Sequence, residues 1–276
     1  MSNLQASNDS FKYDDLKHAV ETIDREIETL EILKNNLDGN LSKALDLLQN
    51  TKGRVIVTGM GKSGHIARKM AATFASTGTV SFFVHPAEAS HGDLGMISDD
   101  DVIIAISYSG ESKELSDILI YAKRHNIPLI AITRNPQSAL GKNSSLVLKL
   151  PDNGEACPLG LAPTSSTTAT IVLGDVLAVD LMERRGFSAT DFRQRHPGGK
   201  LGAILCKVSD IMHKGDDVPL LKEDAIMQDA LLVMSEKMLG CVGIVDNDGH
   251  LSGIITDGDL RRWMSPSIIT EKVSKV

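Results

Sequence analysis

Two glutamates, a lysine, a histidine and a group of serines are the residues of this chain best suited to chemistry. The run Ser107-Tyr108-Ser109-Gly110-Glu111-Ser112 follows an apolar strand and precedes a helix predicted to begin near Glu111. Backbone N–H groups and the positive end of a helix dipole bind anions at such a turn, and serine hydroxyls add donors. The run therefore predicts a phosphate site with Glu111 as a candidate base. The alternative is that Ser109 only caps the helix and Glu111 only complements its first turn.

A second glycine-rich turn, Gly59-Met60-Gly61-Lys62-Ser63-Gly64, also lies between a predicted strand and a predicted helix. Its spacing matches the dinucleotide fingerprint, but the next strand ends in His85-Pro86 and not in the acidic residue that would hold a ribose. Ile56 stands where a Walker phosphate loop needs its first glycine. The turn therefore predicts that Lys62 reaches the carboxyl edge of a sheet, where a cation neutralises a phosphate or an oxyanion. The alternative is a solvent-facing lysine in a tight turn.

Three histidines and a further glutamate lie in loops rich in proline or glycine: His85, His91, His196 and Glu155. Loop histidines are often inert surface residues. A histidine also titrates near neutrality, so it can pass a proton between sugar oxygens or bind a metal. Glu155 opens the irregular segment 155–163 and is a second candidate base.

Apolar runs predict the sheet that must position these residues. Short β-branched segments alternate with helical stretches, which indicates an α/β fold with a parallel five-stranded sheet covered by helices on both faces. Ligands of such sheets bind beyond the carboxyl ends of the strands, where the serine- and glycine-rich turns fall. Amphipathic helices at 11–37 and 41–48, a candidate oligomer face, precede the sheet, and a long helix at 167–185 follows it. The predicted strands are residues 54–58, 80–84, 102–106, 129–133 and 146–150.

The character of the sequence changes after His196-Pro197-Gly198-Gly199, which predicts a second domain. Residues 208–264 indicate a small α/β unit with a helix at 227–239, strands at 242–245 and 251–256, and a helix from Asp257. We place the boundary so that residues 1–206 form the first domain and residues 207–276 the second.

Composition argues against several classes of protein. The chain has 276 residues, of which 42% are hydrophobic, enough for buried cores in two unequal domains. A net charge of −7 without any Lys/Arg-rich block argues against a nucleic-acid partner. Three separated cysteines indicate a reducing, cytoplasmic location. Neither a leader nor a membrane-spanning stretch is evident, so we expect no membrane partner.

The ordered series of motifs resembles the D-arabinose 5-phosphate isomerase family, whose members carry a sugar isomerase (SIS) domain followed by a pair of CBS repeats. The resemblance extends from about residue 14 to residue 264. It implies interconversion of D-ribulose 5-phosphate and D-arabinose 5-phosphate through an enediol(ate), supplying the acid Kdo of lipopolysaccharide or capsule, with no required cofactor. The motifs that carry the resemblance are residues 59–64, 85–88, 91–95, 107–112, 155–167 and 196–199.

The resemblance also implies roles for individual residues. Catalytic roles fall on Lys62, Glu111, Glu155 and His196: a glutamate as carbon base, Lys62 as electrostatic stabiliser, and His196 as oxygen acid/base or ring-opening group. Which glutamate is the carbon base stays open. Zinc is implied as an inhibitor with His85 as its ligand, and homotetramers with shared sites are implied. The implied substrate-binding residues are Gly78, Thr79, His85, His91, Ser107, Ser109, Ser112, Thr164, Ser165, Ser166 and Thr167.

The second domain resembles one CBS repeat, with residues 253–261 as its signature. In such repeats an aspartate at the position of Asp259 binds the ribose of an adenine nucleotide, and Thr256 lies beside it. Residues 265–276 are too few for a second repeat, so we expect a truncated pair. A structural role for this unit is the alternative to nucleotide regulation.

Two other functions remain open from the sequence. SIS domains also isomerise hexose and heptose phosphates, although the His196 and Glu155 motifs favour a pentose. Other SIS domains bind a phosphosugar without catalysis and regulate transcription. The amino terminus lacks a DNA-binding helix pair and a basic patch, which disfavours such a sensor.

Overall fold

The computed structural model describes residues 5–196, 207–263 and 265–276, with side chains from residue 15 onward. The chain divides into two compact units, Met1–Leu205 and Cys206–Val276. Each unit has its own buried apolar core. The boundary expected from the sequence, after residue 206, lies close to this division.

The first unit is built on a parallel sheet of five strands in the order β2-β1-β3-β4-β5. Central strands β1, β3 and β4 are buried along their whole length, which explains their nearly continuous runs of valine, isoleucine and alanine. The predicted fold class is confirmed. The strands are β1 Val55–Gly59, β2 Ser81–Phe83, β3 Val102–Ile106, β4 Leu129–Thr133 and β5 Leu146–Lys149.

Helices cover both faces of this sheet. One apolar core includes residues of α1, α2, α3 and α7 on one face, and the other core includes residues of α4, α5 and α6 on the opposite face. The helices are α1 Gln5–Asn35, α2 Gly39–Asn50, α3 Lys62–Ser76, α4 Pro86–Ala89, α5 Ser116–His125, α6 Ala139–Lys142, α7 Ser165–Arg184 and α8 Ala189–Arg195.

Strand order determines where a ligand site forms. Strands β1 and β3 are neighbours, and the chain leaves β1 towards one edge of the sheet and leaves β3 towards the other. A crevice opens at such a reversal, outside the carboxyl ends of the two strands. Lys62 follows β1 and the segment 107–112 follows β3, so both predicted motifs lie at this crevice.

Helix α5 begins at Ser116, so the expectation of a helix starting near Glu111 is wrong. Gly110 adopts a φ of 75°, which a right-handed helix excludes, and a 3₁₀ turn at Lys113–Leu115 leads into α5. Glu111 therefore lies in a turn. Ser109 does not cap the helix, because its Oγ accepts a hydrogen bond from the Glu111 N–H at 3.2 Å.

Helix α7 is long and apolar enough to span a bilayer by length and composition, with a mean hydropathy of 1.3. Half of it is buried inside the protein, where it packs against α1, α2 and α3. The expectation that no segment meets this criterion is wrong for α7, because a helix in a protein core has the same composition as a span. Within the described residues no other helix meets it.

The second unit contains a three-stranded sheet in the order β6-β7-β8, with β6 parallel and β8 antiparallel to β7. Met227, Ala230, Val242, Ile244 and Ile255 contribute to its buried core. The predicted helix and strands of this unit are confirmed. Its elements are α9 Val208–Ile211, β6 Leu220–Lys222, α10 Met227–Lys237, β7 Cys241–Val245, β8 Leu251–Thr256 and α11 Asp257–Trp263.

Candidate functional site

The turn after β3 is a compact set of hydroxyls and backbone N–H groups. Ser107 Oγ and Ser112 Oγ lie 2.9 Å apart, and the Gly110 N–H donates to both Ser107 O at 3.0 Å and Ser107 Oγ at 3.1 Å. Ser107 is buried, whereas Ser109 is exposed. The turn thus holds the hydroxyls of Ser107 and Ser112 together and presents that of Ser109 to solvent, as a small-anion site requires.

Gly110 is the residue that allows this turn. Its φ of 75° favours glycine, and a Cβ at this position would lie 1.9 Å from Ser138 Oγ. The loop from β3 therefore packs directly on the loop that begins α6, and the Leu140 N–H donates to Gly110 O at 3.0 Å. Any side chain at residue 110 would push the serine turn away from β4.

Glu111 leaves this turn as an exposed side chain. Its Oε1 accepts one hydrogen bond, from the Ala139 N–H at 3.1 Å. Its Oε2 has no hydrogen-bond partner among the described residues. This carboxylate is oriented by one contact and retains an oxygen that is free to take a proton.

Glu155 is held much more firmly. Its Oε2 accepts hydrogen bonds from the Thr164 N–H at 2.8 Å, the Thr164 hydroxyl at 3.2 Å and the Ser166 N–H at 3.2 Å. These donors lie at the amino terminus of α7, where the helix dipole favours a negative charge. The carboxylate closes the loop of residues 155–164 on itself.

The hydroxyls of residues 164–167 are largely used inside the chain. Thr164 Oγ1 and Ser165 Oγ both accept from the Ala156 N–H, at 3.0 and 3.1 Å, and the Thr167 hydroxyl donates to Thr164 O at 2.7 Å. Ser166 contributes its N–H to Glu155. This set therefore supports the loop first, and a role in phosphate binding requires an exchange of some of these bonds.

Lys62 is the first residue of α3 and is exposed. Gly61 before it has a φ of 58°, and a Cβ on Gly64 would lie 2.6 Å from Gly59 O. The first turn of α3 therefore packs against the end of β1 as the glycine spacing indicated, and this packing positions Lys62 at the crevice between β1 and β3.

His85 and His91 lie at the same edge of the sheet, after β2. The Nδ1 atom of His85 is buried without a hydrogen-bond partner, and its ring packs edge-on against Phe83 with 6.1 Å between centroids. His91 is exposed. In the described part of the chain, three potential metal ligands come together only at Asp246, Asp248 and His250 of the second unit. Among the described residues, His85 thus belongs to no set of three ligands.

Gly78 and Thr79 lie at the opposite edge, before β2. Arg185 donates to Gly78 O at 3.2 Å and to Thr79 Oγ1 at 2.7 Å, and burial lowers the pKa of this guanidinium. Thr79 is only 2% exposed. Within one chain, these two predicted substrate-binding residues therefore do not join Lys62, Glu111 and the serines.

His196 follows α7 and the short helix α8 in the chain. Helix α7 begins beside Glu155 and has 20 residues, so it carries the chain about 30 Å away from Glu155 before α8 begins. His196 ends α8, stacks on Phe192 at 3.9 Å between centroids, and donates from Nδ1 to Phe192 O at 2.9 Å. A carbonyl only accepts, so Nε2 is left as the proton acceptor of the neutral ring. Pro197, Gly198 and Gly199 of the same motif lie outside the described residues.

Three residues at the carboxyl edge were not predicted from the sequence: Tyr108, Arg134 and Asp152. Arg134 donates to Asp152 Oδ1 at 2.6 Å and lies over the Tyr108 ring, and the Tyr108 hydroxyl donates to Pro151 O at 3.2 Å. Burial raises the pKa of Tyr108, and the charges of Asp152 and Glu155 raise it further. These contacts join the loop after β4 to the loop that carries Glu155. Their position shortly after the ends of β3, β4 and β5 is the feature of the sequence that could have predicted them.

The CBS-like unit places Thr256 and Asp259 in contact. Asp259 Oδ2 accepts from the Thr256 N–H at 2.9 Å and the Thr256 hydroxyl at 2.6 Å, and Arg262 contacts Oδ1. The Thr256 hydrogen bonds and then Arg262 lower the pKa of Asp259 to about 2. Both carboxylate oxygens are therefore engaged within the chain.

Comparison with known proteins gives matches to two domain families. The SIS domain family matches residues 47–180 and the CBS domain family matches residues 208–266. The chain is 55% identical over 251 residues to Arabinose 5-phosphate isomerase KdsD of Francisella tularensis, covering 90% of this chain and 76% of that protein. It is 52% identical over 250 residues to the protein of the same name from Escherichia coli K12, with the same coverage.

Solved structures include a match to about two thirds of the chain. A protein of Escherichia coli CFT073, solved in complex with arabinose 5-phosphate, superposes with a TM-score of 0.64 and 43% sequence identity. The match covers 67% of this chain and 98% of that one. The part of the chain that matches is thus a complete structure in that protein.

Proposed function

We propose that this chain, which belongs to the arabinose 5-phosphate isomerase family, interconverts D-ribulose 5-phosphate and D-arabinose 5-phosphate. The single observation that carries the proposal is the gathering of Lys62, Glu111 and the serine turn at the crevice between β1 and β3. An aldose–ketose isomerase needs a base, a cation and a phosphate-binding site close together. Its product is a precursor of Kdo.

The chemistry moves a carbonyl between C1 and C2. A base removes a proton from C1 of the ketose, and the electrons of that C–H bond form an enediolate across C1 and C2. Return of a proton to C2, with transfer of the C1 hydroxyl proton to the oxygen on C2, gives the aldose. Lys62 stabilises the enediolate oxygen as a cation, and the hydroxyls of Ser107, Ser109 and Ser112 bind the phosphate.

Glu111 is the better candidate for the carbon base. Its Oε2 is free among the described residues and its carboxylate is exposed. Glu155, by contrast, has one oxygen fixed by three donors at the start of α7. In this proposal Glu155 is a positioning residue that fixes the loop of residues 155–164 beside the substrate.

His196 acts in the site of a second copy. In the neutral ring, its Nε2 is the nitrogen that accepts a proton from a sugar hydroxyl or takes part in opening the ring. Because α7 carries the chain about 30 Å away from Glu155 before α8 begins, we place His196 at the crevice of a neighbouring subunit. Gly78 and Thr79 lie at the same edge of the sheet as α8 and would accompany it. A homotetramer with shared sites agrees with this arrangement.

Other expectations remain predictions. Zinc inhibition at His85 is supported by the buried, unpartnered Nδ1 and needs further ligands besides those that the described residues bring to it. No cofactor is needed for the proton transfer. Nucleotide binding at Thr256 and Asp259 requires displacement of bonds that both residues make within the chain. A cytoplasmic location is predicted from cysteine usage alone.

The test is incubation with D-ribulose 5-phosphate in heavy water without added metal, followed by proton NMR, with glucose 6-phosphate and sedoheptulose 7-phosphate in parallel. We expect D-arabinose 5-phosphate with deuterium at C2. Conversion of only another sugar would assign a different isomerase activity. Phosphosugar binding without turnover of any sugar would favour the alternative function, a SIS protein that binds a phosphosugar as a sensor and does not catalyse a reaction.

A further inference from the structure

Helix α1 is only partly supported by its own chain. Every residue from 15 to 25 is exposed, and burial begins only at Glu26. Most of the stability of a protein helix comes from packing of its apolar face against other elements. The helix nevertheless carries large apolar side chains on its unsupported part, which indicates a surface that another helix covers.

These apolar residues follow a heptad spacing. Leu16, Val20, Ile23 and Ile27 are separated by four, three and four residues and are 67%, 55%, 58% and 52% exposed. We name these four residues the α1 seam. Alternating steps of three and four residues are typical of a two-stranded coiled coil, whose two helices present the same kind of seam to each other.

Charges beside the seam favour a second copy of this chain in antiparallel orientation. A register that pairs Val20 with Ile23 and Leu16 with Ile27 brings Lys17 of each helix beside Asp24 of the other. A parallel pair would instead set Glu26 against Glu31, two like charges. Both orientations are compatible with a two-fold axis, so the charges decide between them.

The same helix is bonded to the loop that carries Glu155. Thr29, which is 2% exposed, forms hydrogen bonds with Asn153 Oδ1 at 3.2 Å and Asn153 Nδ2 at 2.9 Å. Glu26 Oε2 accepts from the Thr168 hydroxyl at 3.0 Å, in the first turn of α7. Asn153 lies two residues before Glu155, so a displacement of α1 is transmitted to both ends of that loop.

We propose that the α1 seam pairs antiparallel with the seam of a second copy, and that this pairing holds the Glu155 loop in its active arrangement through Thr29 and Asn153. The inference rests on the proposed isomerase and adds where the copies meet and how assembly affects catalysis. Asn153 is thus a positioning residue. Loss of the partner frees α1 and loosens the loop.

The first test uses the full chain with Ile23→Asp, and with Thr22→Asp as the control that adds the same charge one residue off the seam. Mass by sedimentation velocity and activity per subunit are measured on both. We expect Ile23→Asp to give a smaller assembly and at least a tenfold lower kcat, and Thr22→Asp to behave as wild type. An unchanged mass for Ile23→Asp overturns the pairing, and a smaller but fully active species overturns the coupling.

Cross-linking tests the orientation without relying on a disruptive variant. Val20→Cys combined with Ile23→Cys is expected to form a covalent dimer under oxidation faster than Val20→Cys alone or an off-seam Thr22→Cys. Cross-linking of Val20→Cys alone at the full rate would indicate a parallel pair and contradict the proposal.

Asn153→Ala separates coupling from assembly. We expect wild-type mass, a several-fold lower kcat and little change in KM, whereas wild-type kcat would overturn the coupling. If the wild-type protein isomerises none of the sugars tested, the proposed function fails. The mass and cross-linking results still decide the pairing in that case.

Discussion

At the scale of single residues, the serine turn depends on a glycine that carries no chemistry. Gly110 adopts a positive φ and approaches Ser138, so the chain can reverse directly after β3 and hold Ser107 and Ser112 together. The two hydroxyls lie together only because residue 110 is a glycine, which tolerates the positive φ and the close contact with Ser138. We therefore expect the proposed function of this turn to depend on a position that carries no side chain.

Replacement of Gly110 by alanine tests this dependence. We expect a loss of about 1–3 kcal/mol of stability from the left-handed backbone, a further loss from the contact with Ser138, and a KM raised more than tenfold because the phosphate cradle opens. Urea unfolding and steady-state kinetics are the measurements. Gly39→Ala, where a Cβ meets nothing within 4 Å, is the matched control. A Gly110→Ala enzyme with wild-type KM would show that the turn does not bind the phosphate.

The two glutamates give a second prediction at this scale. Glu111→Gln removes the proposed base and is expected to lower kcat by about 10²–10⁴ while substrate still binds. Glu155→Gln keeps a carbonyl oxygen that accepts from Thr164 and Ser166, so the loop persists and kcat falls less. Glu155→Ala, which cannot accept, should lose much more than Glu155→Gln. If Glu155→Gln is the more damaging of the two glutamine variants, the carbon base is Glu155.

At the scale of elements, a buried carboxylate fastens the start of β1 to the start of β3. Asp101 Oδ1 accepts from the Arg54 N–H at 2.7 Å, and Asp101 Oδ2 accepts from the Ser98 N–H at 2.8 Å and from the Arg54 guanidinium at 3.1 Å. Burial by itself raises the pKa of Asp101, but the hydrogen bonds from Arg54 and Ser98 outweigh burial and lower it below 3.8. Asp101 thus aligns β1 and β3 at their amino ends, opposite the carboxyl ends where the crevice lies.

Asp101→Asn tests this contribution through its pH dependence. Since the pKa is lower in the folded state, the stabilisation is complete above 3.8 and is lost as pH falls through the folded-state pKa. We expect the variant to be less stable than wild type by about 1–3 kcal/mol at pH 7, with a smaller difference in acid. Urea unfolding over a pH series measures it, with the exposed neighbour Asp100→Asn as control. If the difference in unfolding free energy between wild type and Asp101→Asn does not change with pH, packing and not the charge of Asp101 causes it.

The elements also show how far the sequence predicts this molecule. Runs such as Val102–Ile106 and Leu129–Thr133 are apolar and β-branched, and their bounds were predicted without error because a buried parallel strand needs such residues. The start of α5 was predicted five residues early, because the sequence alone does not show that Gly110 adopts a positive φ. From the sequence, the predicted topology puts Lys62 and Glu111 at the carboxyl edge of the sheet. Thr79 and His196 were predicted for the same site, but they follow α3 and α7, which carry the chain towards the opposite edge. Tyr108, Arg134 and Asp152 join through side-chain packing that no local pattern encodes.

At the scale of the whole molecule, the predicted site residues fall into two groups at opposite edges of the sheet. Lys62, Glu111 and Glu155 lie at the carboxyl edge, and His196 follows α8 beyond the end of α7. If the proposed reaction uses both groups, it needs two chains. Assembly is then a condition of activity, as the proposed pairing of the α1 seam also implies.

Subunit mixing tests this arrangement. Glu111→Gln and His196→Asn are each expected to be nearly inactive alone, because every site then lacks one group. After the two variants exchange subunits at equal concentrations, one site in four combines an intact Glu111 from one chain with an intact His196 from another, so about a quarter of wild-type activity should return. Mixtures of Glu111→Gln with Lys62→Met are the control: both changes lie in the same half of the site, so no chain with an intact carboxyl edge exists and activity stays absent. If the first mixture also stays inactive although mass measurements show exchanged subunits, His196 does not act across the interface.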